Sequence, residues 1–438
     1  MIRKALISAA AAGFLGIAAL AQTGTEGYYK DLFMDSGIYL TSRQRDALPC
    51  AEGLGLSMEE FVSASHKAAD STAITSRDTI LQSYMIAGNP LDENGILLYP
   101  DGSPRFRMIY MNGGRANSHG RSLTEEGRGN IRQFIKGGGS YVGSCAGAFI
   151  ASSAIWNRKK DSLEAYPNYL HIWPGYTTST GLDNNQTTMT IPEDSPLLKY
   201  YDFGGDGQVD SVRHNGGCFA NTEHNWPEDT EILAYYETTG RGFKYDLTGK
   251  VSIWSWKENA GTGRIVSCGS HPEGVEDGER YDLMCGMVRY ALEGCGAPAV
   301  KSELKSDEEI VMKASTLDDK PDSTMIGDLQ YHHFTIEVPK GCRSLTVTLS
   351  SLKGWRDFDM SLFARKGDFA FESGAQYSRT GNGFDKTLRI SKPKAGTYYI
   401  SVRCDTTVDS VETAYGTQYC GRLDVLNGVP YKIKATIE

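Results

Sequence analysis

The run Gly138-Gly139-Ser140-Tyr141-Val142-Gly143-Ser144-Cys145-Ala146-Gly147-Ala148 decides the fold that we predict for this chain. A very short strand, Ser140 to Gly143, is followed at once by a small-residue helix, Ala146 to Ala154. Between them, Gly143 to Gly147 has the Gly-x-nucleophile-x-Gly form in the strand-to-helix position that this motif requires. Such a turn strains the central residue and leaves room only for small neighbours. The run therefore predicts a nucleophile elbow with Cys145 at its centre.

The chemistry of Cys145 follows from its place at the start of a helix. The unpaired N–H groups and the dipole of a helix N-terminus stabilise a thiolate. A buried cysteine in a glycine-rich turn is the competing interpretation, because most free cysteines are small buried hydrophobic residues. A nucleophile also needs a base and a group that orients the base.

A base and an orienting group follow a second strand. Ile265 to Ser270 is a predicted strand that leads directly into His271-Pro272-Glu273. The imidazole can hold the thiol proton, and the carboxylate can fix its tautomer. A solvated turn explains an isolated His-x-Glu equally well. This one, however, precedes the last predicted helix, Arg280 to Leu292, where a loop at the carboxyl edge of the sheet would meet the elbow. We therefore predict a Cys145, His271, Glu273 catalytic triad.

A third strand, Arg107 to Met111, ends in Asn112-Gly113-Gly114. The backbone N–H groups of Gly113, Gly114 and Ala146 are the candidate donors of an oxyanion hole. A plain β-turn would account for the glycine pair alone. Arg115 and Asn112 are candidates for substrate binding, Arg115 through a substrate carboxylate, although it would serve as well as a solvated loop charge.

From Ser36 to about Glu293, short β-branched runs alternate with helical stretches. This alternation predicts a flavodoxin-like, doubly wound, mostly parallel α/β sheet. It includes a first strand at Gly37 to Leu40, a helix at Ser57 to Ala69, and a helix that begins with a capping box at Ser122 to Glu125. We place the domain at residues 22–296.

Residues 297–327 are charged and polar and are predicted as a linker. The remainder, 328–438, shows strand patterns only and predicts a small, jelly-roll-like β-sandwich. The predicted strands are Phe334–Val338, Ser344–Leu349, Asp359–Ala364, Thr387–Ile390, Tyr398–Val402 and Tyr431–Ile437.

The first residues have the layout of a secretory signal peptide, predicted at residues 1–21. Arg3 and Lys4 precede an apolar run, Ala5 to Leu20, that is short for a membrane span. A short N-terminal core helix is the alternative. We therefore expect a secreted, periplasmic or extracellular protein without a membrane span. The net charge of −9 provides no basic stripe for nucleic acid.

Nine cysteines in an exported chain predict disulfides, with four pairs and one thiol left over. Cys285 and Cys295 are one possible pair, but the connectivity stays open. We predict no cofactor and no metal site. The acidic run Asp202 to Asp210 fits a hairpin turn better than a calcium loop, and His119 has no evident partner in its own part of the sequence.

These pieces resemble two known families. The Gly-Gly strand end, the elbow and His271-Pro272-Glu273, in that order, resemble the class I glutamine amidotransferase superfamily. With His214-Asn215-Gly216-Gly217, they resemble most closely the biotin-protein ligase N-terminal domain family. The resemblance implies a flavodoxin-like sheet and a Cys-His-Glu triad. The C-terminal part resembles the bacterial pre-peptidase C-terminal domain, notably at Ala395 to Val402, which implies export and binding of a surface polymer.

The sequence alone leads to one leading function and one alternative. The leading function is a secreted cysteine hydrolase, an amidohydrolase or peptidase, whose partner is a small-molecule amide or a peptide. No biotin-ligase catalytic region and no synthetase domain to receive ammonia are evident in the sequence, which favours hydrolysis over nitrogen transfer. The alternative is a non-catalytic envelope protein that binds carbohydrate or another polymer and retains the fold.

Overall fold

The computed structural model describes residues 26–35, 48–61, 86–88, 93–238, 243, 245–315, 321–413 and 416–438. The predicted signal peptide and the predicted strand at 37–40 lie outside these residues. Where a helix is predicted from Ser57 to Ala69, the described part is a strand, Met58–Phe61. It pairs in parallel with Lys30–Asp35, so pairing in the sheet outweighs the local helical pattern.

The described helices are α1 (Pro49–Gly53), α2 (Ala116–Ser122), α3 (Thr124–Lys136), α4 (Ala146–Ala151) and α5 (Gly278–Glu293). The first described strands are β1 (Lys30–Asp35), β2 (Met58–Phe61), β3 (Phe106–Met111), β4 (Ser140–Ser144), β5 (Ser152–Asn157), β6 (Ser162–Glu164), β7 (Trp173–Ser179), β8 (Asn185–Thr190), β9 (Gln208–His214), β10 (Cys218–Ala220), β11 (Glu231–Glu237), β12 (Val251–Trp256) and β13 (Ile265–Cys268). The later strands are β14 (Val300–Glu303), β15 (Glu309–Met312), β16 (Tyr331–Val338), β17 (Ser344–Ser351), β18 (Met360–Lys366), β19 (Tyr377–Arg379), β20 (Lys386–Ser391), β21 (Gly396–Cys404), β22 (Asp409–Thr413), β23 (Gly416–Gly421) and β24 (Tyr431–Ile437).

One large sheet forms the first unit, in the order β22-β23-β2-β1-β3-β4-β13-β12-β10-β7-β5-β6, with β11, β8 and β9 branching from β12. Its centre, β2-β1-β3-β4-β13, is parallel. Beyond β13 most pairings are antiparallel. The prediction of a mostly parallel sheet was therefore wrong, and the sheet is mixed. The physical reason is connectivity: in the described residues between β7 and β13 no α-helix provides the crossover that a parallel pair needs.

Helices cover both faces of the parallel strands, as the doubly wound prediction requires. On one face, Phe134 of α3 and Ile150 of α4 share a buried cluster with Phe33 of β1. On the other face, Leu283 of α5 and Cys50 of α1 pack in a second cluster. Successive strand residues alternate between the two clusters because strand side chains alternate between faces.

Two helix boundaries differ from the prediction. Ser122 does not cap α3; its hydroxyl donates to the carbonyl of His119, and Leu123 occupies the N-cap position without a side-chain cap. Helix α4 ends at Ala151 instead of Ala154. Ser152 is extended there and begins β5, which pairs with β7. Strand pairing again decides the boundary.

The second unit consists of two all-β sheets, β14-β16-β21-β18-β19 and β15-β24-β17-β20. The six strands predicted from Phe334 onward all occur, within a few residues of their predicted ends. The segment 297–327, predicted as a linker, contributes β14 and β15, which pair with β16 and β24. Side chains from both sheets, such as Ile336 and Val347, are buried in a common cluster.

The two units are joined along the edge of the large sheet. The hairpin β22–β23 comes from the second unit and pairs through β23 with β2. Nearby, the guanidinium of Arg105 donates two hydrogen bonds to the Asp328 carboxylate, at 2.8 and 2.7 Å, and a third to the Tyr419 hydroxyl at 2.7 Å. The ion-paired side chains are at most 1% exposed. A buried charge pair therefore ties the two units together.

The predicted disulfides are absent. All nine cysteines lie within the described residues, and each is a free thiol. Cys285 is buried in the core that α5 covers, whereas the Cys295 thiol donates to the carbonyl of Arg107. The two sulfurs proposed as a pair therefore have different surroundings. Among the described helices, none combines the length and the apolar character that a membrane crossing needs.

Candidate active site

Cys145 occupies the turn between β4 and α4. Its backbone has φ 49° and ψ −100°, a combination that costs energy for a residue with a side chain. The Cys145 N–H donates to the Cys268 carbonyl at 2.9 Å, and its own carbonyl accepts from the Phe149 N–H at 3.1 Å. The first bond ties the turn to strand β13, and the second ties it to helix α4. Only 4% of the residue is exposed.

Two glycines make this turn possible. A Cβ atom on Gly143 would lie 2.7 Å from the carbonyl carbon of Gly147. A Cβ atom on Gly147 would lie 2.3 Å from the carbonyl oxygen of Met111. These distances are far below van der Waals contact, so only hydrogen fits at either position. Close packing of the backbone, as well as the conformation of the turn, therefore requires glycine on both sides of Cys145.

His271 and Glu273 lie in the loop after β13, the strand next to β4. The pairing of Cys268 with Ser144 places the ends of these parallel strands at one edge of the sheet. The His271 N–H donates to the Arg213 carbonyl at 2.9 Å. Its Nδ1 lies 2.7 Å from Oε1 of Glu273. The fold thus brings His271 and Glu273 to the same sheet edge as Cys145, which lies more than a hundred positions earlier in the chain.

Two partners set the proton affinity of His271. Burial lowers its pKa, but side-chain hydrogen bonds to Cys145 and Glu273, together with the charges of both groups, outweigh burial and raise the pKa to about 10. Glu273 is hydrogen-bonded to the imidazole, and Cys145 is a neighbour whose interaction with the ring also raises its pKa. Both neighbours therefore favour the protonated form of this ring.

Gly113 lies against the ring of His271. A Cβ atom at position 113 would be 2.3 Å from Cε1 of the imidazole. Sequence reasoning considered Gly113 only as an oxyanion donor; the structure adds that it makes room for His271. The N–H groups of Gly113, Gly114 and Ala146 donate to no backbone carbonyl of the described residues.

The two predicted substrate-binding residues lie on the same loop after β3. Asn112 is 8% exposed, whereas Arg115 is exposed and precedes α2, its carbonyl accepting from the His119 N–H at 2.9 Å. Their position places them at the same sheet edge as Cys145. Substrate binding by these two residues stays a prediction.

Sequence reasoning did not reveal the partners of two buried histidines near this edge. His119 Nε2 lies 2.9 Å from Oδ2 of Asp35, the last residue of β1. His214 is fully buried, and its Nε2 lies 2.8 Å from the Thr187 hydroxyl. Burial lowers the pKa of His214 to about 4; an interaction with the backbone of Gly216 opposes the shift and the charge of His271 adds to it. No local pattern could reveal these pairs, because their partners are 84 and 27 positions away.

A metal site does not emerge from the described residues, where no three His, Cys, Asp or Glu side chains lie close enough together to hold an ion.

The mixed sheet, the helices on both faces and the cysteine turn after β4 define a mixed α/β domain, which is followed by an all-β unit. Residues 62–282 match the family model described as "Biotin-protein ligase, N terminal", and residues 330–403 match "Bacterial pre-peptidase C-terminal domain". The first match covers half of the chain, so the chain belongs to the biotin-protein ligase N-terminal family. Both resemblances inferred from the sequence are confirmed.

One curated relative is a biotin–protein ligase of Schizosaccharomyces pombe (strain 972 / ATCC 24843), 26% identical over 184 residues. The match covers 39% of this chain and 26% of the ligase, so the chain spans about a quarter of that relative. Among solved structures, a glutamine amidotransferase is 15% identical, with a TM-score of 0.29, over 42% of this chain and 80% of the other. The pre-peptidase C-terminal domain of a Bacillus anthracis collagenase is 12% identical, with a TM-score of 0.19, over 32% of this chain and 100% of the other.

Proposed function

We propose that this protein is a cysteine hydrolase of amide bonds, with Cys145 as nucleophile at a nucleophile elbow, His271 as general acid and base, and Glu273 as the group that orients His271. The observation that carries the proposal is the position of the His271 ring, which is bonded through Nδ1 to Glu273 and has Cys145 as a neighbour that raises the pKa of the ring. A nucleophile, a base and an orienting carboxylate in contact are the minimal machinery of acyl transfer.

The reaction would proceed in two halves. The Cys145 sulfur attacks the amide carbonyl, and its proton resides on His271. The tetrahedral intermediate then collapses as His271 gives this proton to the leaving nitrogen, so the C–N bond breaks and a thioester remains. Water, deprotonated by His271, attacks the thioester and releases the acid together with the restored thiol. Glu273 keeps Nδ1 bonded throughout, which leaves the other ring nitrogen for Cys145 and substrate.

The negative charge that develops on the substrate carbonyl oxygen must be stabilised by N–H groups that are not already hydrogen-bonded within the protein. The Cys145 N–H is bonded to Cys268, so it is a poor choice. The N–H groups of Ala146 and of Gly113 or Gly114 have no backbone acceptor among the described residues, which supports our choice of these groups for the oxyanion hole.

The pre-peptidase C-terminal match favours a secreted hydrolase. This type of domain is typical of secreted bacterial proteins. We propose that the second unit binds a surface polymer near the substrate, while the chemistry remains in the first unit.

Alkylation by iodoacetamide tests the nucleophile, with Cys420 as an internal reference. Cys420 is exposed and Cys145 is buried, so an ordinary thiol at position 145 would react more slowly than Cys420. We expect mass spectrometry to show faster labelling of Cys145, and we expect His271→Ala to slow it at least tenfold without changing Cys420.

Hydrolysis of γ-glutamyl and peptide amide libraries tests the activity. Cys145→Ala should abolish turnover, and the matched variant Cys420→Ala should retain it. Equal hydrolysis by the wild type and Cys145→Ala, or slow labelling of Cys145, would overturn the proposal and favour a non-catalytic, polymer-binding protein.

A further inference from the structure

Arg213 is placed beside His271 by backbone pairing. The two residues are opposite one another in an antiparallel bridge, with the 2.9 Å hydrogen bond from the His271 N–H to the Arg213 carbonyl. Residues opposed in this way project their side chains from the same face, with Cβ atoms about 5 Å apart. Gln186 is opposite Arg213 on the other side, in β8. Gln186, Arg213 and His271 therefore form a row on one face.

Two members of this row, Arg213 and Gln186, also line a cavity. The cavity has a volume of about 500 Å³, is open to solvent, and is lined by Arg213, Gln186, Asn184, Asn185 and Phe243. Its volume falls in the range of small-molecule sites. Three amides, a guanidinium and one aromatic ring give it hydrogen-bond donors, a positive charge and a single apolar wall.

The charge of Arg213 is not neutralised by the protein. Arg213 is exposed, and no carboxylate of the described residues forms an ion pair with it. Some other arginines of this chain do have such partners, for example Arg105 with Asp328 and Arg403 with Glu372. Among the described residues, no acidic side chain lines the cavity either. A guanidinium in amide surroundings matches a carboxylate, which it can bind through two parallel hydrogen bonds.

We propose that this cavity is a subsite for a carboxylate on the amide substrate, with Arg213 as the residue that binds it. The substrate class is then an acidic amide, such as a glutamyl amide or an acidic peptide. This inference rests on the proposed function for the position of the scissile bond, but the anion site itself depends only on Arg213 and the residues around it.

Direct binding tests the site independently of catalysis. Glutarate is titrated calorimetrically into Cys145→Ala and into Cys145→Ala with Arg213→Gln. We expect Arg213→Gln to weaken glutarate binding at least tenfold, and the matched exposed variant Arg389→Gln, in β20, to leave it unchanged. Undetectable binding of glutarate to Cys145→Ala, or equal binding after Arg213→Gln, would overturn the proposal. So would tighter Arg213-dependent binding of inorganic phosphate than of glutarate.

Kinetics then test the link to the substrate. Glutamyl and glutaminyl 7-amino-4-methylcoumarin amides differ only in the side-chain carboxylate. We expect the wild type to prefer the glutamyl amide and Arg213→Gln to raise its KM at least tenfold, with little effect on the glutaminyl amide. An unchanged preference after Arg213→Gln would overturn the subsite. Arg213-dependent binding of glutarate without hydrolysis of any amide would instead refute the proposed function and keep the anion site.

Discussion

At the scale of single residues, the contact between Gly113 and His271 is the most sensitive point of the site. A methyl group at position 113 would lie 2.3 Å from the imidazole, so the ring must move. We expect Gly113→Ala to lower kcat/KM for amide hydrolysis at least a hundredfold, because a displacement of about 1 Å is enough for such a loss. Steady-state kinetics measure the effect.

Gly129→Ala is the matched control for this substitution. Gly129 lies in α3, where a Cβ atom would meet only the end of the Arg132 side chain at 3.9 Å. Alanine there should leave activity unchanged and favour the helix slightly. Full activity of Gly113→Ala would contradict the packing of His271 on Gly113.

The raised pKa of His271 makes stability depend on pH. Its folded pKa of about 10 lies above the ordinary value of 6.5, so the folded state holds a proton that the unfolded chain releases. The stabilisation is complete below pH 6.5 and is lost as pH rises towards 10. We expect the free energy of unfolding to fall across this window, by at most about 1.4 kcal/mol per pH unit, as measured by urea denaturation.

Removing the Glu273 charge should flatten this dependence. Glu273→Gln deletes one cause of the raised pKa, so the fall between pH 6.5 and 10 should become shallower. Glu276→Gln, an exposed carboxylate in the same loop, should leave the slope as it is. The same slope in wild type and Glu273→Gln would contradict the pairing.

At the scale of elements, the strand-to-helix turn stores strain at Cys145. Glycine tolerates positive φ without the cost that a Cβ atom brings. We therefore expect Cys145→Gly to be more stable than Cys145→Ala by about 1 kcal/mol in chemical denaturation, although both should be inactive. Cys268 lies in a strand and does not have a positive φ. There we expect the opposite order, with Cys268→Gly less stable than Cys268→Ala. The same order at both positions would show that the turn is not strained.

The sequence predicted the strands around the site more accurately than it predicted the ends of the helices. The strands β3, β4 and β13, which position the site, occur within two residues of their predicted ends. The start of α3 and the end of α4 differ from their predicted positions. At both points a tertiary contact competes with the local pattern, as where Ser152 leaves the helix to pair in β5.

At the scale of the whole molecule, the buried Arg105–Asp328 pair joins the two units. Asp328→Asn would leave a guanidinium buried without an anion, at a cost of about 3 kcal/mol of unfolding free energy. Equilibrium urea denaturation measures it. Glu309→Gln, which removes the exposed ion pair with Lys432 in the second unit, should leave the midpoint unchanged. Equal effects of the two variants would mean that Arg105 finds another partner or that water reaches it.

The order of motifs by itself determined the α/β class, the candidate triad and the β-strand character of the second unit. The α/β class and the strands of the second unit are confirmed because hydrophobic alternation and turn residues act over a few positions, whereas the triad stays a prediction. Tertiary structure alone decided the mixed sheet, the free cysteines, the placement of His271 on Gly113 and the row from His271 to Arg213. These features depend on contacts between residues far apart in the chain, which no local pattern encodes.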